Sequence, residues 1–198
     1  MAYRSLQHAG VALASLVLLG GPALAGEPTD QLKPEIERVI KTLEDPSLRG
    51  EGKVAARREA LRGITDGVFD WQEMSRRALG SHWQSRSEAE RTEFVGLFRD
   101  LVEQAYASKI EGYSGERISY AGDVVEGDQA TVRTRLASRQ GKEVPVDYRL
   151  LRRDGRWRIY DVGVEGVSLV GNYRTQFNQI IRTSSYEELV RKLKSRSS

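Results

Sequence analysis

The chain has 198 residues with 31 basic and 28 acidic side chains, two histidines and no cysteine, for a formal net charge of +3. The lack of cysteine excludes a disulfide framework and an anchor attached through cysteine, so an apolar core must hold the fold together. Near charge balance without a concentrated basic stripe argues against a nucleic-acid partner.

Residues 1–25 read as a secretory leader. Arg4 supplies the positive start, Ala9 to Leu19 the apolar run, and Ala23-Leu24-Ala25 a small-x-small cleavage site, so the mature chain is expected to begin at Gly26. The run is shorter than the ~20 residues a membrane span requires, and no later stretch approaches that length. Losing Arg4 leaves 30 basic against 28 acidic residues, or +2. The remainder, residues 26–198, has the size of one soluble domain. It divides into a mostly helical part (26–113), a β-meander (114–166) and C-terminal helices (167–198).

Leu32, Ile36, Val39, Ile40 and Leu43 recur at helical spacing, with Thr29 or Asp30 available as the cap and Asp45-Pro46 as the stop. Helical periodicity resumes from Lys53 through Val54, Leu61 and Ile64. Asp70 with Glu73, and Ser87 with Glu90, have the spacing of capping boxes. The first opens a helix from Trp71 to Leu79, stopped at Gly80. The second opens a long helix with a wide apolar face from Phe94 to Ile110.

From Gly112 the period changes to two, and four strand-like runs follow at about 117–125, 129–138, 143–152 and 156–165. Gly127-Asp128, Gln140-Gly141 and Asp154-Gly155 between them suit tight hairpin turns. Val132, Thr134 and Leu136 share one face of the second run, and Val146, Tyr148 and Leu150 one face of the third, so one side of the sheet is apolar and the other wet. After Gly166 helical spacing returns with Leu169, Val170, Tyr173, Phe177, Ile180 and Ile181. Ser185 and Glu188 then start a terminal helix. The expected class is α+β, a twisted four-stranded antiparallel meander packed against several helices and enclosing an apolar cavity.

Little catalytic chemistry is legible. His82, the one histidine after the leader, has no cysteine or carboxylate pair at metal-ligand or triad spacing. The glycines form no phosphate-cradling motif. Asp161 and Glu165 lie near the end of the fourth strand, where each caps a helix or meets an arginine, or the two face a cavity as an acid-base pair.

Several stretches resemble the MlaC (toluene-tolerance) family of periplasmic phospholipid-binding proteins. They are Phe69-Asp70-Trp71, Met74-Ser75-Arg76-Arg77-Ala78-Leu79-Gly80, His82-Trp83, Phe94 with Leu97-Phe98, and Gln104-Ala105-Tyr106. Further on come Val144-Pro145-Val146, Gly155 to Val162, Glu165-Gly166-Val167-Ser168-Leu169-Val170, Asn172-Tyr173-Arg174 and Phe177. The resemblance implies a non-enzymatic carrier in the periplasm that holds the acyl chains of a phospholipid, as cargo and with no cofactor. Its implied partners are an inner-membrane MCE-type ABC transporter complex and an outer-membrane lipoprotein-porin complex, between which lipid is moved to maintain outer-membrane asymmetry. Tyr106, Val146, Leu150 and Val167 match positions expected to line or border the cavity. Periodicity adds Ile110, Val132, Tyr148, Leu169 and Phe177. Three alternatives stand beside this reading: a hopanoid-type cargo, a small-molecule enzyme using Asp161 or Glu165 as base, and a periplasmic adaptor whose apolar face completes a protein interface.

Overall fold

The computed structural model describes residues 27–113 and 115–197, and the side chains of these except residues 51, 108–111 and 197. The expected leader lies outside the described residues. Six helices and five strands follow in order: α1 (Glu27–Glu44), α2 (Val54–Val68), α3 (Trp71–Leu79), α4 (Glu88–Glu111), β1 (Arg117–Glu126), β2 (Gln129–Ala137), β3 (Glu143–Arg153), β4 (Arg156–Val164), β5 (Val167–Ser168), α5 (Leu169–Thr183) and α6 (Tyr186–Ser197). Among the described residues, no helix is long and apolar enough to cross a membrane.

The strands form one antiparallel meander in the order β1-β2-β3-β4-β5. The fifth strand is a correction to the four-stranded expectation. Glu165 (φ 51°) and Gly166 (φ 81°) turn the chain back on itself, so that Val167 and Ser168 pair with Val164 and Gly163. Two residues are too short to show a period of two.

The helix ends also depart from local expectation. α1 begins before Thr29, which does not cap it. Thr29 is buried, and both its amide and its Oγ1 donate to one oxygen of Asp123 on β1, at 3.0 and 2.7 Å. A sheet carboxylate thus takes up an orphan donor of the first helical turn. At Ser87 and Glu90 the capping box is complete, with reciprocal amide bonds of 2.7 and 3.3 Å. At Asp70 it is half formed, because the Asp70 carboxylate caps the Glu73 amide while the Glu73 carboxylate turns to Arg76 and Arg77. At Ser185 the hydroxyl accepts from the Glu188 amide, but the Glu188 carboxylate goes to Arg191.

Burial divides into two clusters. The helical cluster joins α3, α4, α5 and α6 around Met74, Phe94, Phe98, Phe177 and Leu189. Phe177 meets Phe94 and Phe98 edge-on, each at 5.7 Å between ring centres, a geometry that sets ring edges against ring faces. The second cluster lies on one face of the sheet, where Leu32 of α1 packs over Ala130, Val132, Leu150, Trp157 and Ile159. A bulge in β4 decides which residues go where: Arg149 faces Asp161 and Leu150 faces Ile159, so Tyr160 is left unpaired and enters the helical cluster on the other side.

Candidate functional site: the apolar face of the sheet

Directly paired strand residues share a face and alternate residues point away, so the register sorts the sheet face over which α1 lies into rows. One row is Val125, Ala130, Leu150 and Ile159. The next is Asp123, Val132, Tyr148 and Val162, then Tyr120, Thr134, Val146, Val164 and Val167, and last Ile118, Leu136 and Val144. In the first of these the central residues are closed off, with Ala130, Leu150 and Ile159 at 4% exposure or less. Towards the last row burial weakens. Ile118, Leu136, Val144, Val146 and Val164 are only half-buried and belong to neither packed cluster, and Val167 at the sheet edge is 63% exposed.

α1 crosses this face. Its first turn is tied to Asp123, and Gln31 accepts from the Trp157 amide at 3.0 Å beside the closed end. Its last residue, Glu44, accepts from the Tyr113 hydroxyl at 3.3 Å near the start of β1. Val39, Ile40 and Leu43 on its second half are half-buried and also belong to neither cluster. The helix and the open rows therefore present apolar side chains that no described protein group packs fully.

The polar groups of this face are few: Asp123, which accepts from Thr29, then Thr134, Tyr120 and Tyr148. Thr134, 3% exposed, donates its hydroxyl to the Val146 carbonyl at 2.8 Å. Burial pushes the Tyr148 hydroxyl up to about 12, and burial with the nearby Glu37 charge does the same at Tyr120. Both phenols are neutral at any ordinary pH and bring no charge to the face.

The nine residues expected from the sequence fall into three places. Val132, Val146, Tyr148, Leu150 and Val167 come together on the row face. Leu169 and Phe177 are buried in the helical cluster, and Tyr106 packs against its edge. The helical spacing of these residues reports one buried stripe, which here meets other helices and not the sheet face. Ile110 lies on α4, and its side chain is outside the described residues. The half-buried Ile118, Val144 and Val164 lie on the same face and were not among the nine, nor was Leu136, which the alternation of its strand had already placed on the apolar side. A separate cleft of about 310 Å³ opens between α2 and α4, lined by Ala55, Leu61 and Ala107 with Arg57, Arg58 and Arg62 among the polar residues. It includes none of the nine.

Asp161 resolves its alternatives. It is 3% exposed and accepts from Arg149 Nη1 at 2.6 Å, from Ser168 Oγ at 2.6 Å and from the Val170 amide at 3.0 Å. It thus meets an arginine and helps to cap α5, on the opposite side of the sheet from Val162. Glu165 sits exposed at the β4–β5 turn. The structure does not join the two as a pair. His82 shares a hydrogen bond of 3.0 Å with Asn178. Among the described residues no three His, Asp or Glu side chains converge on a metal position.

The family model described as MlaC protein matches residues 33–195. The chain belongs to the MlaC family. It is 27% identical over 127 residues to the intermembrane phospholipid transport system binding protein MlaC of Haemophilus influenzae, an alignment covering 62% of this chain and 59% of that relative. The chain thus spans less than two thirds of that MlaC protein's length. A phospholipid-binding protein of Ralstonia solanacearum, solved in complex with a phospholipid, superposes with a TM-score of 0.78 over 87% of this chain and 97% of its own, at 22% identity. The MlaC fold is therefore shared with a structure in which a lipid is bound.

Proposed function

We propose that the protein is a periplasmic phospholipid carrier that holds acyl chains against the open rows of the sheet face and moves lipid between membranes. The observation that supports this most directly is the graded burial of that face. Val132 and Leu150 are sealed while Ile118, Leu136, Val144, Val146 and Val164, in the neighbouring rows, are left half-buried. Apolar surface in that state gains by taking an apolar occupant, at about 0.8 kcal/mol for each methylene removed from water. An acyl chain supplies a long run of methylenes, and a carrier spares it from crossing water exposed.

The relatives support the same reading, one named as the binding protein of an intermembrane phospholipid transport system and one solved with phospholipid. An inner-membrane MCE-type complex and an outer-membrane lipoprotein-porin complex would then be the donor and acceptor. The headgroup stays at the mouth of the pocket in water, so selection falls on the tails. An enzymatic alternative would need a free acid-base group on the apolar face, whereas the Asp161 carboxylate is committed to Arg149, Ser168 and Val170.

The test is lipid extraction from protein purified out of cells, with mass spectrometry of the extract and a vesicle-uptake assay on the delipidated protein. Co-purified diacyl lipid and uptake are the expected results. An empty protein that takes up no lipid would overturn the proposal.

A further inference from the structure

The sealed and the open halves of the sheet face meet at one residue. Along β3, Leu150 is 1% exposed, Tyr148 follows on the same face, and Val146 beyond it is half-buried and packed in neither cluster. Across the strands Tyr148 lies between Val132, which is fully buried, and Val162. Tyr120, one row nearer the open end, packs with Tyr148 and Val162 against the sealed cluster, and Lys33 of α1 lies 5.9 Å from the centre of its ring. Past these two rings the space is filled by Leu32, Val132, Leu150 and Ile159.

A tyrosine is suited to form such a wall. Its ring is rigid and large, and it packs with Tyr120 and Val162 against the sealed cluster. A packed aromatic ring yields less to an occupant than a methionine, whose three rotatable bonds let it adapt. Each row of a strand spans about 7 Å, so a ring at this position ends the apolar space a full row short of the Leu150 row.

Resting on the carrier reading above, we propose that Tyr148, assisted by Tyr120, is the floor of the lipid site and sets the length of acyl chain the protein accepts. Chains that reach the floor bury all their methylenes, and longer chains must leave some in water or fold back. Each methylene so excluded costs about a fourfold loss of affinity.

The experiment loads delipidated protein from vesicles holding equal amounts of dimyristoyl and distearoyl phosphatidylglycerol, and reads the ratio of the two bound lipids by native mass spectrometry. Comparing variants with the wild type on the same vesicles cancels the lipids' own preference for the bilayer. Tyr148→Val is expected to raise the ratio of distearoyl to dimyristoyl lipid at least about fourfold, the value of a single admitted methylene. Tyr148→Phe, which keeps the ring, is expected to retain the wild-type ratio. An unchanged ratio in folded, loaded Tyr148→Val overturns the proposal, as does an equal shift in Tyr148→Phe. Should Tyr148→Val fail to fold, Tyr120→Val at the half-buried neighbour is expected to move the ratio in the same direction, and no movement there counts against the floor. Wild-type protein that loads neither lipid removes the carrier reading and the floor together, whereas normal loading with a fixed ratio removes only the floor.

Discussion

Glu73 shows how one side chain is committed by neighbours that its local motif does not name. The spacing from Asp70 suggests a reciprocal cap, but its carboxylate, 4% exposed, accepts from Arg76 at 2.7 and 2.6 Å and from Arg77 at 2.7 Å, with Arg153 of β3 at 3.5 Å. Burial opposes ionisation of Glu73, but the hydrogen bonds and charges of Arg76 and Arg77 outweigh it and hold the carboxyl below its ordinary value of 4.5. A lowered carboxyl stabilises the fold fully above the unfolded value, and that contribution is lost as the pH falls through the folded one. At neutral pH, Glu73→Gln should be less stable than wild type by about 1–2 kcal/mol, modest because Arg76 is half exposed. Below pH 4.5 the gap should narrow. Urea midpoints at neutral pH and at about pH 3 measure it, and a gap that stays constant would mean the clamp does not titrate with folding.

At the level of elements, α1 is held to the sheet at its beginning by polar contacts and along its length by apolar ones. The Thr29–Asp123 contact joins residues 94 apart in sequence, and Leu32 seals the closed end of the sheet face below it. α1 also contains Pro34, which lacks the amide that would bond back within the helix, so the first turns depend more on such outside contacts. Asp123→Ala is expected to cost about 1 kcal/mol, comparable to loss of an N-cap. Hydrogen exchange should quicken at the first-turn amides of α1 and stay unchanged in α4. Equal protection of α1 in variant and wild type would show that Leu32 packing alone fixes the helix.

For the molecule as a whole, the distinction that matters is between a filled core and a half-filled one. Val146 sits in an open row, so Val146→Glu should fold, because an empty wall can hydrate, yet it should reduce lipid occupancy at least about tenfold, since a buried carboxylate costs several kcal/mol. Ser119, exposed on the opposite face of β1, supplies the reference variant Ser119→Glu. Arg149 would not serve, because its charge meets the buried Asp161. Native mass spectrometry of lipid occupancy, read beside thermal melting, distinguishes the cases. Full occupancy in folded Val146→Glu would place Val146 outside the site, and collapse of the fold would make it ordinary core.

The order of the helices and of the first four strands, the three hairpin turns, the complete cap at Ser87 and Glu90, and the apolar alternation of β2 and β3 were all legible in the sequence, because each is set by neighbours a few residues away. The family was legible as well, in motifs such as Glu165-Gly166-Val167-Ser168 that mark particular turns and helix starts. What lay beyond the sequence depends on contacts across long separations. Periodicity shows that Leu169 and Phe177 face inward, but the inside they face is the helical cluster built with Phe94 and Phe98. Likewise the alternation of β3 assigns Leu150, Tyr148 and Val146 to one face without saying which is sealed. Only the path of α1, tied down at Asp123 and carrying Leu32 over one end of the sheet, decides where packing stops and the apolar surface remains open.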